Sequence, residues 1–149
     1  MWWWYIADVV VVVVCALAVL ASWQVHQRDD QLATNRSQVQ HQAGPLVAKV
    51  FSIQPENYEQ DRDRARSLVT DEFAQQFAQI LDPAVTPAPA STVTWAPVYT
   101  GISEITLDHA DAVVSATVTA GAVTSTKVLD VRLERSGDTW KIARADEVL

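Results

Sequence analysis

The sequence is poor in the residues that build most cofactor and metal sites. Its 149 residues include one cysteine, three histidines and four glycines. A single cysteine excludes an intrachain disulfide, and four scattered glycines exclude a glycine-rich phosphate loop. No cysteine or histidine pair has the spacing of metal ligands, and no histidine stands in a nucleophile motif. The sequence therefore predicts no catalytic residue, no cofactor and no metal.

Basic residues are missing from the start of the chain. All 11 Lys and Arg residues follow Trp23, as do 17 of the 18 acidic residues, so the chain beyond Trp23 carries a formal charge of −6. Nucleic-acid phosphates attract clustered Lys and Arg, and anionic lipid does the same. This charge therefore argues against binding to nucleic acid and against a domain that lies flat on anionic lipid.

One long apolar run occupies residues 2–23, and a polar side chain interrupts it only at Tyr5, Asp8 and Ser22. A helix needs roughly 20 residues to cross a hydrocarbon core of ~30 Å. Aromatic rings mark both ends of the run, as they do at the two headgroup layers of a bilayer: Trp2, Trp3, Trp4 and Trp23. A cleaved signal peptide would have a basic segment first. We therefore expect residues 1–24 to be an uncleaved transmembrane anchor in the lipid bilayer.

Asp8 is the one ionisable residue of this anchor. A carboxyl group in lipid seeks a donor on another helix, which makes Asp8 a candidate contact with a partner helix. The alternative is that Asp8 only reaches the nearby interface. The sequence does not separate these two interpretations.

Three helical segments follow the anchor. Residues 25–44 are polar and rich in Gln, which indicates a juxtamembrane stalk, and apolar spacing predicts a kinked helix over 31–52, across Gly44 and Pro45. A second helix is expected after Pro55, with the alternating charges of residues 61–66 on a solvated face. Its other face carries one stripe: Tyr58, Arg62, Ala65, Leu68 and Val69. Thr70 is the expected N-cap of a third helix.

The chain changes to a two-residue period at Thr92, and the predicted strands cover 92–107, 112–120, 124–135 and 139–145. Helices followed by a strand meander indicate an α+β domain over residues 45–149, with three helices packed on a curved four-stranded antiparallel sheet. Five aromatic residues of this domain either line an apolar pocket or fill the core, and we favour the core: Phe73, Phe77, Trp95, Tyr99 and Trp140.

The segment YEQDRDRARSLVTDEFAQQF at 58–77, together with the ending SGDTWKIARAD, resembles the Mce-associated membrane proteins of actinobacteria. In that family a junction similar to LLTGDF precedes four strands that close on a Trp. Residues 68–73 read LVTDEF here, and Trp140 takes the closing position. The family's Tyr-Asp-Tyr-like turn is replaced by Ile53-Gln54-Pro55.

This resemblance implies a cone like that of nuclear transport factor 2, on the extracytoplasmic side of the inner (plasma) membrane. It also implies a non-enzymatic accessory or stabilising subunit of an Mce-type lipid import complex, with the permease and Mce subunits as partners. Arg28 and Arg36 favour the cytoplasmic side by the positive-inside rule, and on this point we follow the family. The alternatives are a lipid- or small-molecule-binding cone, including an enzymatic one, and an inner-membrane scaffold of a secretion system.

Overall fold

Residues 28–78 and 87–148 are described by the computed structural model of the chain. The chain divides into two units, Met1–Thr34 and Asn35–Leu149. In the first unit, residues 28–34 are helical, and the hydroxyl of Thr34 donates a hydrogen bond to the carbonyl of Asp30. Among the helices of the described residues, none has both the length and the apolar character that a membrane span requires.

The helices of the second unit are α1 (35–51), a 3-10 turn (Pro55–Asn57), α2 (Tyr58–Ser67) and α3 (Asp71–Gln76). The helix predicted over 31–52 is confirmed, because helical backbone continues through Gly44 and Pro45. The predicted cap of α3 is confirmed as well. The Thr70 hydroxyl accepts a hydrogen bond from the Phe73 amide at 3.3 Å, which satisfies one of the donors that a helix start leaves open.

The four predicted strands are confirmed as β1 (Val93–Ile105), β2 (His109–Ala120), β3 (Val123–Ser136) and β4 (Thr139–Glu147). They form one antiparallel sheet in the order β1-β2-β3-β4. The fold is therefore α+β, with helices and a four-stranded antiparallel sheet. Residues 109–111, which lie between the first two predicted strands, instead begin β2. Thr106 makes this tighter turn possible, since its amide donates to the His109 carbonyl and its hydroxyl accepts from the His109 amide, both at 2.9 Å.

The inner face of the sheet and the helices share one apolar core. Side chains of a strand alternate between the two faces, so every second residue of β2, β3 and β4 points inward. On α1 the buried residues recur at helical spacing and complete the same cluster. The fully buried members include Val39, Ala43, Val47, Val50, Ala112, Val114, Val131, Leu133 and Ile142.

Both outer strands make hydrogen bonds to residues outside the sheet. On the β1 side, Val93 exchanges two backbone hydrogen bonds with Ile53, and the Trp95 amide donates to the Ser52 hydroxyl. The amides of Val93 and Trp95 point away from β2. Because the direction of the amides alternates along an antiparallel strand, the backbone nitrogen of Pro97 also points away from β2. Pro97 has no amide to donate, so it is tolerated at this edge. On the β4 side, Ile142 pairs with the link between α2 and α3 through Leu68 and Thr70.

Gly44 brings α1 unusually close to β1. A Cβ atom added at Gly44 would lie 3.0 Å from the Cβ of Pro97 and 3.1 Å from the hydroxyl oxygen of Thr100. Glycine is unfavourable in a helix interior by roughly 0.5–1 kcal/mol relative to Ala. Here it allows α1 to pack against β1 at a distance that a larger residue would not permit.

A substitution of Trp140 on β4 tests the packing of the core, because only 3% of this residue is exposed. We expect Trp140→Ala to lower the free energy of unfolding by about 3–5 kcal/mol, as large aromatic deletions in cores do. Chemical denaturation of the fragment 35–149 measures this change. Val123→Ala, at a residue that is 68% exposed, is the control and should unfold like the unmodified fragment. An unchanged midpoint for Trp140→Ala would contradict the placement of Trp140 in the core.

Candidate functional site

Four of the five aromatic residues considered for a pocket lie in or against the core. Phe73 and Trp140 are 1% and 3% exposed, and Phe77 packs against the core from the side. The rings of Phe73 and Phe77 stack with their centroids 4.3 Å apart. These side chains contact one another and the apolar inner face of the sheet, which is how aromatic residues fill an interior.

Trp95 and Tyr99 lie on opposite faces of β1. Trp95 is half-buried, packs against the core and meets the ring of Phe51 at a centroid distance of 5.3 Å. Tyr99 is 66% exposed. Their even separation would place them on one face, but the register shifts between Pro97 and Tyr99. A bulge inserts one residue and thereby reverses the facing of the later residues of the strand. The structure therefore does not bring Tyr99 together with the other four aromatic residues.

The predicted anchor and partner-helix residues all lie outside the described residues: Trp2, Trp3, Trp4, Asp8 and Trp23. The same holds for His26. His41 is exposed on α1, and the His109 ring lies 3.0 Å from the Thr106 hydroxyl, in the β1–β2 turn. Within the described residues, no group of three or more His, Cys, Asp or Glu side chains is arranged to hold a metal ion.

Arg62 is the largest fully buried side chain among the described residues, although the alternating charges of residues 61–66 also predict a solvated position for it. That expectation is wrong for Arg62 and for Asp61, which is 6% exposed. Arg62 donates to the carbonyl of Val50 near the end of α1 at 3.1 Å, and its guanidinium lies 6.0 Å from the Tyr58 ring centroid. Burial lowers the pKa of Arg62 from its usual value, whereas Tyr58 and Asp61 act in the opposite direction.

Asp61 joins the start of α2 to the turn before it. Its carboxylate accepts a hydrogen bond of 2.8 Å from the backbone amide of Gln54 and one of 3.0 Å from a guanidinium nitrogen of Arg64. A sequence signal for burial was present, because Arg62 also falls on the apolar stripe that contains Tyr58 and Ala65. That stripe, and not the alternation of charge, decides which face of α2 is buried.

A second polar cluster links the first residue of the unit to two turns of the sheet. The Asn35 amide nitrogen lies 3.2 Å from the carbonyl of Thr106, and the Asn35 side-chain oxygen accepts from Arg135 at 2.9 Å. Asn35 is only 2% exposed. The Arg135 guanidinium also lies 6.0 Å from the Trp140 ring centroid. These contacts fix the start of α1 against the end of the sheet that holds the β1–β2 and β3–β4 turns.

The outer face of the sheet carries a row of charges near the same end. Arg132 donates two hydrogen bonds of 2.8 Å to the carboxylate of Asp111, in the fork geometry that favours Arg. These bonds lower the pKa of the Asp111 carboxyl, against a smaller opposing effect of burial. Glu104 lies beside Asp111 on the neighbouring strand, and Arg144 lies beside Arg132.

The rest of the β1–β2 half of the sheet has no charge at all. Residues 93–103 and 112–126 contain no Asp, Glu, Lys or Arg. This region, the uncharged half, takes in most of β1, most of β2, the β2–β3 turn and the start of β3. Four of the six large apolar residues that the described surface exposes belong to it: Val98, Tyr99, Val113 and Val123.

The outer face of the uncharged half combines threonine with a few apolar side chains. Thr117 pairs with Thr126, and Thr119 pairs with Thr124, with the hydroxyls of the second pair 3.4 Å apart. Tyr99 lies over Gly101, where a Cβ atom would come within 3.1 Å of the ring. An aromatic ring that covers a glycine protects a strand from the loss of packing at that position.

A separate groove of about 370 Å³ opens at the surface along Pro55–Gln60. Its described lining comes from one continuous segment, and Glu56 and Glu59 make it acidic. No described nucleophile or paired acid and base stands in that lining, which holds neither Ser, Cys nor His. The residues with the most distinctive surface chemistry are therefore those of the uncharged half.

The buried guanidinium of Arg62 generates a stability prediction. We expect Arg62→Met to lower the free energy of unfolding by about 1.5–3 kcal/mol, since the Val50 carbonyl loses a charged donor. Lys49→Met, at an exposed residue of α1, should change it by no more than about 0.5 kcal/mol. Urea denaturation of fragment 35–149 distinguishes the two. Equal stability of both variants would show that the Arg62 contact to α1 contributes nothing.

Comparison with known proteins identifies a similar fold but no family. No family model and no curated protein sequence matches the chain. Among solved structures, the chain is similar to an IcmL-like type IV secretion system protein of Legionella pneumophila, with a TM-score of 0.53 and 12% sequence identity. The match covers 76% of this chain and 94% of that one. At this identity the likeness concerns the fold alone.

Proposed function

We propose that this protein is a non-enzymatic accessory subunit of an Mce-type envelope lipid import complex. In this proposal, residues 2–23 anchor it in the inner membrane as a single transmembrane helix, which also contacts helices of the permease or Mce subunits. The three helices and the curved sheet form a cone on the extracytoplasmic side, which docks on the permease and Mce subunits. The resemblance of residues 58–77 and of the Trp140 ending to the Mce-associated family supports the choice of complex.

One observation carries the choice of a subunit over an enzyme or a ligand carrier. Two aromatic residues that could have lined a pocket fill the space between helices and sheet, with Phe73 at 1% and Trp140 at 3% exposure. Ile142, which belongs to the same core cluster, is fully buried. Ligand sites are concave, with a few convergent polar groups. Aromatic side chains that fill the core, in place of lining a concave site, favour contacts with other proteins instead.

An inner-membrane scaffold of a secretion system is the second candidate. The similar structure is that of an IcmL-like type IV secretion system protein, and the alignment covers 94% of that chain. Because fold does not determine function, this likeness supports the scaffold only as an alternative assembly for the same kind of domain. In both candidates the domain acts by binding other subunits.

Purification in mild detergent tests the proposal and separates its two candidates. We expect the tagged full chain to retain Mce subunits and the permease, identified by mass spectrometry. Asp8→Leu should lower their recovery roughly 3- to 30-fold, as expected for the loss of an interhelical hydrogen bond of about 0.6–2 kcal/mol. Asp8→Asn should keep part of the binding, because the amide still donates and accepts.

The controls for this experiment are internal. Membrane fractionation should show all three proteins inserted equally, since Asp8→Leu only makes the anchor more apolar. Recovery of secretion-system subunits in place of Mce subunits would reject the first candidate in favour of the second. Equal recovery with Asp8→Leu would move the docking surface from the anchor to the domain.

The proposed placement of the domain has its own test. Asp138 is exposed in the β3–β4 turn, so Asp138→Cys in a Cys15→Ala background offers one accessible thiol. We expect a membrane-impermeant maleimide to label it in intact spheroplasts. The Cys15→Ala protein alone should stay unlabelled. Labelling that appears only after lysis would place the domain in the cytoplasm, as Arg28 and Arg36 favour.

A further inference from the structure

The first turn of α1, residues 35–38, packs on the domain mainly through one polar side chain. Asn35 is 2% exposed, whereas Arg36 and Ser37 are exposed and Gln38 is half-buried. Along α1 the apolar core begins one turn later, at Val39. The attachment of the first turn therefore depends on hydrogen bonds, while the rest of α1 is held mainly by apolar burial.

Asn35 connects this turn to two distant parts of the chain. Its amide nitrogen lies 3.2 Å from the carbonyl oxygen of Thr106 and 3.4 Å from that of Leu107, and its oxygen accepts from Arg135 at 2.9 Å. Thr106 and Arg135 lie 71 and 100 positions further along the chain. Arg135 also donates to the carbonyl of Gly137 at 3.1 Å. Asn35, Thr106, Leu107 and Arg135 are called the Asn35 clasp below.

The clasp can open without opening the apolar core. Asn35 is not a member of the core cluster, which α1 joins at Val39. When a hydrogen bond between protein groups opens, water replaces each partner, so the net loss is small. Apolar side chains gain no such replacement when they meet water. Segments with few apolar contacts are the first to open locally, and residues 35–38 are such a segment.

We propose that the Asn35 clasp is a conformational device that decides whether residues 35–38 belong to the folded domain or to the segment before it. With the clasp closed, these four residues are helical and advance about 6 Å. With the clasp open and the turn unwound, they can span up to about 14 Å. In the anchored protein proposed above, release therefore extends the reach of the domain by about 8 Å. Only this last step rests on the proposed function.

Trypsin tests the device, because it cleaves after Arg and Lys, and Arg36 and Lys49 are both exposed on α1. Cleavage within a helix requires local opening, and its rate follows the open population. In the full chain in mild detergent, we expect faster cleavage after Arg36 than after Lys49. Arg135→Met removes the charged donor of the clasp and leaves the cleavage site unchanged. It should raise the rate after Arg36 roughly 10-fold or more, and the rate after Lys49 should not change.

Asn35→Leu should have the same effect, and a peptide of residues 30–42 with this substitution shows whether trypsin itself cleaves it differently. Gln40→Leu is the matched control, because it removes an amide at an exposed position of α1. It should leave both rates unchanged. Equal rates after Arg36 and Lys49 in the unmodified chain would overturn the proposal, since the first turn would then open only with the rest of α1.

Two further outcomes would overturn it as well. An unchanged rate after Arg36 in both clasp variants would show that the clasp does not hold the turn. An equal rise after Arg36 and Lys49 would show that the variants unfold α1 as a whole. Each of these outcomes is independent of which envelope complex the protein joins.

Discussion

The close contact of α1 with β1 at Gly44 is the constraint on which the domain depends. One face of the sheet is apolar and needs a cover, and α1 supplies most of it through Val39, Ala43 and Val47. A helix can lie this near a strand only where a side chain is missing, since a Cβ atom on Gly44 would meet Pro97 at 3.0 Å. The absence of one side chain in α1 therefore allows two fully buried valines to reach the inner face of the sheet.

Buried polar side chains then set the position of α1 along the sheet, which apolar packing alone does not define. Near its end, the Val50 carbonyl accepts from Arg62 of α2. In its first turn, Asn35 contacts Thr106 of the β1–β2 turn and Arg135 at the end of β3. Hydrogen bonds have fixed lengths and directions, so each allows one register where hydrophobic contact would allow several. The two ends of α1 are thus held by different elements.

The sequence predicted the strands better than it predicted the facing of individual residues. Alternation in β3 is clear because Leu129, Val131 and Leu133 face a buried side while Asp130 and Arg132 face water, and the structure confirms it. The position of Tyr99 was not predictable by the same argument, because the bulge after Pro97 reverses its facing, and a proline in a strand indicates an edge position as readily as a bulge. The alternation of residue types predicts the two-residue period of a strand, but it does not show where a bulge shifts that period.

The burial of a charged side chain was also not predictable from the sequence. Arg62 matches both an apolar stripe and a charged ladder, and only the three-dimensional contact with Val50 decides between them. Threonine also gave an ambiguous signal, since Thr117 and Thr126 suit any solvated strand. The pairing of β2 with β3 sets them side by side on the outer face of the sheet. The pattern within a single helix or strand was therefore predictable from the sequence, whereas the contacts between two such elements were not.

The link between α2 and α3 has a consequence for how the sheet can be extended. Leu68 and Thr70 occupy the backbone groups of Ile142 that would otherwise face solvent at the outer side of β4. A sheet with a free side acts as a template on which further chains add without limit, as in fibres. Here the link between α2 and α3 occupies that side at Ile142, and Ser52 and Ile53 occupy the other side at Trp95 and Val93. At these positions a further strand therefore finds no free backbone groups to pair with.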